Sequence, residues 1–167
     1  MNTQASSRRA TVTLPTDEQI LIERTFDAPR TLLFRAFTTP ELVKRWWHAR
    51  RGEVTEVEID FRVGGRWRYA MVTPDGVEVA FHGDYREIVQ DERVVSTEVY
   101  EGVPEGVAEQ DATTVNTATF TETDGRTTLA ILIQAASKMS RDAIIDSGME
   151  AGLNDALELL EQVSASL

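Results

Sequence analysis

The sequence predicts an α+β fold in which a curved antiparallel sheet wraps one long C-terminal helix, and three observations support this. Residues 148–163 carry the clearest helical pattern, with apolar side chains on one side and acidic or amide side chains opposite. From about residue 18 onward, most of the remaining chain alternates as strands do. Tight-turn signals at Pro74, Asp75 and Gly76, and again at Asp124 and Gly125, join neighbouring strands as antiparallel hairpins. Strands and helices are segregated along the chain, which is typical of the α+β class.

The first quarter of the chain predicts an arm, a strand and two short helices. Residues 1–17 are small and polar without periodicity, so we expect a flexible arm followed by one domain over residues 18–167. Residues 18–26 alternate as a strand. A helix should begin after Asp27 with Pro29 in its first turn, and a second at Thr39 and Pro40, ending near Trp47.

The middle of the chain predicts about six strands. Residues 53–61 alternate as the first of them, with Thr55, Val57, Ile59 and Phe61 on one face. Residues 66–73 place alternate aromatic side chains inward, and residues 77–89 continue that face until it switches near residues 86–88, which suggests a bulge. Further strands are expected over residues 93–100, 113–123 and 125–136, the last being the most apolar. Residues 101–111 contain two glycines and several acids, which favours a mobile loop that could act as a lid.

Composition excludes several classes of function. The chain has 167 residues and a formal net charge of −11, which disfavours nucleic acid and anionic membranes as partners. It has no apolar run long enough to span a bilayer, and the N-terminal residues lack the apolar segment of a secretory signal. Cysteine is absent, which fits a cytoplasmic location. His48 and His82 lack metal-ligand spacing, and no cofactor motif occurs, so we expect neither a metal nor a cofactor.

A ligand cavity is the main functional hypothesis drawn from the residues. Aromatic side chains at inward strand positions should face a helix that carries small residues at 148, 152 and 156, so side-chain volume is missing between them. Core packing is the default interpretation of such a stripe, and one indole of the Trp46, Trp47 pair could either pack or line the cavity mouth. The candidate cavity residues are Trp46, Trp67, Tyr69, Met71, Phe81, Tyr85, Met149, Gly152, Leu153 and Ala156.

The ordered motifs resemble a known family. They are residues 22–29, residues 36–42, Arg45 with Trp46 and Trp47, residues 63–67, residues 81–88, and residues 148–153 with Leu157 and Leu160. This set is similar to the bacterial family named for the activator of the heat-shock-protein-90 ATPase, within the START/Bet v 1-like (SRPBCC) superfamily. The resemblance covers about residues 18–163 and implies a helix-grip fold, in which the sheet grips the last helix over a cavity. The superfamily includes lipid carriers, receptors and cyclases, so the fold alone does not imply one activity.

Three functional hypotheses follow. The first is a binding module that holds a small, mostly apolar ligand between the sheet and the last helix. The second is a cyclase, aromatase or hydrolase that uses the same cavity, which would need inward polar groups bonded to each other; Tyr85 and Glu98 are possible members, although their spacing does not select them. The third is a chaperone-associated, stress-response protein-binding module, motivated by the unbroken apolar residues 129–133. We expect a monomer or homodimer and favour the non-enzymatic hypothesis.

Overall fold

The computed structural model describes residues 9–167 and has an α+β architecture. Its antiparallel eight-stranded sheet has the spatial order β1-β2-β8-β7-β6-β5-β4-β3. The strands are β1 (Thr11–Thr13), β2 (Gln19–Phe26), β3 (Glu53–Ile59), β4 (Arg66–Val72), β5 (Glu78–Val89), β6 (Arg93–Tyr100), β7 (Thr113–Thr123) and β8 (Arg126–Gln134). The helices are α1 (Arg30–Thr38), α2 (Pro40–Trp46), α3 (Glu109–Ala112), α4 (Lys138–Asp146) and α5 (Met149–Ala165). The predicted α+β helix-grip fold is confirmed, with slightly more strands than the six or seven expected.

The N-terminal segment corrects one expectation. The sequence predicts a flexible arm over residues 1–17, but Thr11 to Thr13 form an edge strand in which Thr11 pairs with Glu23. The backbone N–H of Ala10 also donates to the side-chain oxygen of Asn154 on α5, at 2.9 Å. Three residues are too few for a period-two pattern to show, which is why the strand escapes prediction. Residues 1–8 of the expected arm lie outside the described residues, and the domain boundary at residue 18 stays a prediction.

Proline fixes the starts of the two short helices, as predicted. Pro29 is the N-cap of α1, and Pro40 is the first residue of α2 after Thr39. Neither cap makes a side-chain hydrogen bond, so the fixed φ of proline is the main local signal. Asp27, expected as a cap, instead pairs with Arg126 at 2.9 Å.

Two bulges set which side chains face which way. In β5 the register shifts between Tyr85 and Glu87, which confirms the predicted bulge. In β3 a shift between Val54 and Glu56 leaves Thr55 exposed, although period-two alternation predicts that it faces inward. An inserted residue reverses the alternation beyond it, which sequence periodicity alone does not reveal.

One face of the sheet, called here the inner face, looks toward α5. Paired residues on neighbouring strands share a face, and Arg24 of β2 donates to Glu161 of α5 at 3.3 Å. The same face can be followed from strand to strand through paired residues. From β2 to β4 these pairs are Arg24 with Leu129, Ile133 with Asn116, Asn116 with Ser96, Ser96 with Tyr85, and Phe81 with Tyr69. The opposite side is the outer face.

Helix α5 connects the two edges of the sheet. Asn154 accepts the hydrogen bond from Ala10 beside β1, while the next residue, Asp155, pairs with Arg50 at 3.7 Å and Arg51 at 3.4 Å just before β3. Because β1 and β3 are opposite edges of the sheet, the sheet must curl around the helix. The backbone of α5 also approaches α1 and α2 more extensively than any strand. Helices α1 and α2 therefore lie between the C-terminal helix and part of the chain that leads to the sheet edge.

The interior is packed most tightly around the C-terminal half of α5, a region called here the closed end. Its large side chains are 0–2% exposed and include Phe26, Phe34, Phe120, Leu129 and Leu160. Phe34 meets Phe120 edge to face at 5.2 Å between ring centroids. In residues 9–167, the helices all fall short of the length and apolar character that crossing a bilayer requires.

Candidate functional site

Around the N-terminal half of α5 the interior is less complete, and this region is called here the open end. Tyr69 and Phe81 of the sheet pack against the core but remain only half-buried. Met149 and Leu153 of α5 have the same intermediate burial. Four of the predicted cavity residues therefore retain accessible surface in the interior of the fold.

Trp47 closes one wall of the open end. Its ring meets Tyr69 at 5.3 Å and Phe81 at 5.9 Å between centroids, both nearly edge to face. The chain then reverses in a turn where the N–H of Arg51 donates to the carbonyl of His48 at 2.9 Å. His48 has a left-handed φ of 48°, which is uncommon for a residue with a side chain. This turn carries Arg50 and Arg51 onto α5.

His48 lies against the same aromatic group. Its imidazole stacks on Phe81 at 6.5 Å and meets Trp47 at 4.6 Å between centroids. Burial, together with the positive charge of Arg51, lowers the pKa of His48 below its ordinary value. The lowered pKa favours the neutral imidazole.

A chain of polar side chains crosses the inner face of β6 and β7. Thr114 Oγ1 donates to Asn116 Oδ1 at 2.9 Å, and Asn116 Nδ2 donates to Glu98 Oε1 at 2.9 Å. The network assigns the orientation of the amide, because a carboxylate can accept only from its NH2 group. Glu98 shares the inner face with Ser96, two residues before it. Burial raises the pKa of Glu98, and the Asn116 hydrogen bond opposes this shift.

Two tyrosines stand beside this chain. Burial, followed by the fields of Tyr85 and Glu98, raises the pKa of Tyr69 well above its ordinary value. Burial also raises the pKa of Tyr85, assisted by Asp60. Within residues 9–167, neither phenol oxygen makes a hydrogen bond to another protein group. Both hydroxyls are consequently protonated and able to donate.

Glu98 and Tyr69 combine depth with accessibility. Burial is the main cause of both pKa shifts, yet each residue is only half-buried by accessible surface. Both side chains therefore lie on the inner face without being fully enclosed. The part of the inner face around Glu98, Tyr69 and Phe81, called here the recess, is the candidate functional site.

Two other predicted cavity residues, both tryptophans, are buried, and the ring of Trp67 lies 4.8 Å from that of Tyr69 between centroids. Trp46 is 6% exposed; it stacks on Phe37 at 5.7 Å and donates its indole N–H to the carbonyl of Ala36 at 2.9 Å. Trp67 is also buried and donates to the carbonyl of Thr97 at 3.1 Å. Both indoles are thus satisfied in the core. The tryptophan at the open end is Trp47 rather than Trp46.

The remaining predicted residues are buried, either in the core or beneath the side chain of Arg51. Met71 and Ala156 are buried, and Tyr85 packs edge to face on Phe61 at 5.2 Å between centroids. Gly152 is buried beneath Arg51, whose guanidinium carbon would lie 3.7 Å from a Cβ added there. Gly152 therefore lies under a charged side chain. The binding role of all these residues stays a prediction.

Sequence reasoning named Glu98 only as a possible member of the site and missed Asn116, because the alternation in two strands is uninformative. The alternate residues Val95, Thr97 and Val99 of β6 are the more apolar set, so alternation alone favours them as the inward residues. Val99, however, pairs with His82 on the outer face. The inner set of that strand contains Glu98. Only the pairing with β7, which places Asn116 opposite Ser96, identifies Glu98 as an inward carboxylate.

The outer face carries a network of charged side chains. Arg68 pairs with Glu56 at 2.9 Å and with Glu101 at 2.8 Å. His82 lies 2.8 Å from Glu101. The hydrogen bond from Arg68 is the largest of the influences that lower the pKa of Glu101 to about 2. These exposed or half-exposed charges have partners and need no catalytic explanation.

Comparison with solved structures identifies the same fold in several bacterial proteins. A protein from Rhodobacter sphaeroides is 24% identical with a TM-score of 0.85, covering 95% of this chain and 100% of that chain. A protein from Mycobacterium smegmatis is 24% identical with a TM-score of 0.80, covering 92% of this chain and 96% of that chain. A Staphylococcus epidermidis protein solved by NMR is 25% identical with a TM-score of 0.74, covering 93% and 94% respectively.

Sequence comparison assigns the family. A search of curated proteins finds none that matches. The family model described as activator of Hsp90 ATPase homolog 1-like protein matches residues 27–165, which is most of the chain. Together with the helix-grip architecture, this match shows that the chain belongs to the activator of Hsp90 ATPase homolog 1-like family.

Proposed function

We propose that the protein binds a small, mostly apolar ligand in the recess at the open end, between the central strands and the N-terminal half of α5. The observation that carries this proposal is the half-buried group of Tyr69, Phe81, Met149 and Leu153 beside a deep polar chain. Apolar walls with a few polar groups are typical of small-molecule sites. Burial of ligand surface would supply about 25 cal/mol per Å².

The test uses phenylbutanol as a neutral probe, with binding measured by calorimetry and by backbone NMR. We expect saturable binding and shift changes concentrated at Trp47, Phe81 and Leu153. Replacing Leu153 with Trp should fill the recess and weaken binding about tenfold, since it removes apolar contact area from the ligand. Leu159→Trp is the matched control, because Leu159 is also half-buried on α5. Shifts that spread over the closed end, or equal effects of the two variants, would contradict the proposal.

An enzymatic role is the second candidate, and the Asn116–Glu98 hydrogen bond favours it. A carboxyl group with a raised pKa, beside two protonated phenols, has the properties of a general acid or base. A hydrolase would cleave nitrophenyl butyrate, and Glu98→Gln would slow that cleavage by at least about 100-fold. Equal rates for the variant and the parent would leave binding as the function.

The chaperone-associated hypothesis has less support. Its motivation was the apolar strand over residues 129–133, which here lies in β8 with β2 on one edge and β7 on the other. Leu129 is buried, and Leu132 on the outer face is half-buried. The strand therefore needs no partner protein to cover its edges. A chaperone partner, a stress role, the cytoplasmic location and the choice between monomer and homodimer stay predictions.

A further inference from the structure

The carboxylate of Glu98 has one oxygen engaged and one available. Oε1 accepts the amide hydrogen bond from Asn116, and Thr114 holds that amide in place. Oε2 makes no hydrogen bond to any group in residues 9–167, and it is not fully enclosed. Glu98 therefore presents an acceptor to the recess.

No protein cation neutralises this carboxylate in the part of the chain that the structure describes. The two influences on its pKa are burial and the Asn116 amide, and neither carries a positive charge. The other interior carboxylate, Glu161, pairs with Arg24 at 3.3 Å and also accepts from the N–H of Asp27 at 2.9 Å. Buried carboxylates are normally paired, because desolvating an isolated charge is costly. Glu98 thus lacks the partner that its counterpart has.

The walls beside Glu98 suit a positive charge. The rings of Trp47, Tyr69 and Phe81 meet at 5.3 and 5.9 Å between centroids, and all three keep accessible surface. Aromatic faces attract ammonium groups, most strongly where water is excluded. The nearest ionisable ring of the aromatic group, His48, is held neutral by burial and by Arg51, so it adds no competing charge.

We propose that the ligand's polar end is a protonated amine on an apolar body, with Glu98 Oε2 as its ion-pair partner and the Trp47, Tyr69 and Phe81 rings around it. The proposal rests on the proposed function, because it names the chemistry of the ligand in the same recess. The phenols of Tyr69 and Tyr85 are available to a second polar atom of the ligand. A ligand carboxylate is rejected, since it would meet Glu98 with like charge.

The test compares phenylbutylamine, phenylbutanol and phenylbutanoate, which share one apolar body and differ in the polar end. At mildly alkaline pH, where the amine is protonated and Glu98 is ionised, calorimetry should show the amine binding at least about tenfold more tightly than the alcohol. The carboxylate should bind most weakly. Glu98→Gln should remove the preference, so that the amine no longer binds more tightly than the alcohol.

The control variant is Glu58→Gln, which removes the same charge from the exposed outer face of β3. It separates local recognition from the general attraction of a cation to a chain of net charge −11. Alcohol binding without amine preference in the parent protein would overturn the inference and leave the proposed function standing. Failure of all three probes would overturn both. The comparison among probes on the parent protein holds even if Glu98→Gln folds poorly.

Discussion

The closed and open ends of the interior are built on one helix, and they differ in what lies beneath it. In the C-terminal half of α5, Leu160 is 0% exposed and sits among fully buried rings from β2, α1 and β7. In the N-terminal half, Leu153 occupies an equivalent apolar position but is only half-buried. The amphipathic pattern runs through both halves. The pattern therefore predicts which side of the helix faces inward, but it does not predict whether that side is filled.

The same contrast separates two interior carboxylates. Glu161 at the closed end has a guanidinium and a backbone N–H, whereas Glu98 at the open end has one amide. The carboxylate of Glu161 is therefore paired with a cation, whereas that of Glu98 is available to accept a hydrogen bond or an ion pair from a ligand. Four predictions test whether this contrast is real.

The largest expected effect is that of Glu161→Gln. Removing the charge leaves the guanidinium of Arg24, which is 5% exposed, without its ion pair to Glu161. Breaking one side of a buried pair costs about 3–5 kcal/mol, and we expect a loss of unfolding free energy in that range by urea denaturation. The joint change of Arg24→Met with Glu161→Leu should recover much of it. A loss below about 1 kcal/mol would show that the pair behaves as an exposed one.

Leucine truncations compare the packing of the two ends. Leu160→Ala should lower the unfolding free energy by about 3 kcal/mol, because it leaves a cavity among fully buried side chains. Leu153→Ala should cost about 1 kcal/mol, since much of its surface is already accessible. Denaturant midpoints at constant m-value measure both. Equal losses would mean that the open end is as well packed as the closed end.

The fold was predictable because the residues that start helices and form hairpin turns act locally in the sequence. The site was harder to predict because it depends on which strands pair and in what register. Pro40, Gly76 and Gly125 mark helix starts and hairpins within a few residues, and the structure has α2 and the hairpins there. Tyr69, Phe81 and Leu153 were predictable as inward apolar positions. Glu98 could be named but not selected, and Asn116 was missed, because the two become neighbours only when β6 pairs with β7. Trp46 was preferred to Trp47 because the sequence does not show at which residue α2 ends and turns its next side chain toward the sheet.

Glu98→Gln should make stability less dependent on pH. A carboxyl group whose pKa is raised in the folded state favours folding below its unfolded pKa of about 4.3 and opposes it as pH rises through the folded value. Each unit of upward shift corresponds to about 1.4 kcal/mol lost at higher pH. The variant should therefore equal the parent near the unfolded pKa and exceed it at neutral pH, as measured by denaturation across a pH series. If the unfolding free energies of the variant and the parent changed in parallel with pH, Glu98 would be solvated like a surface carboxylate.

The smallest expected effect on stability is at Gly152, where two substitutions separate filling from folding. A Cβ would lie 3.7 Å from the Arg51 guanidinium, an ordinary contact, so Gly152→Ala should raise the unfolding free energy by about 0.5–1 kcal/mol through helix propensity. Gly152→Leu gains the same propensity but must move the side chain of Arg51, which is 43% exposed and can turn into solvent. We expect its stability to remain within about 1 kcal/mol of the parent while its affinity for phenylbutanol falls. If the leucine instead lowers stability with no separate effect on binding, Gly152 belongs to the core beneath Arg51, and the recess is bounded by Met149 and Leu153 alone on this helix.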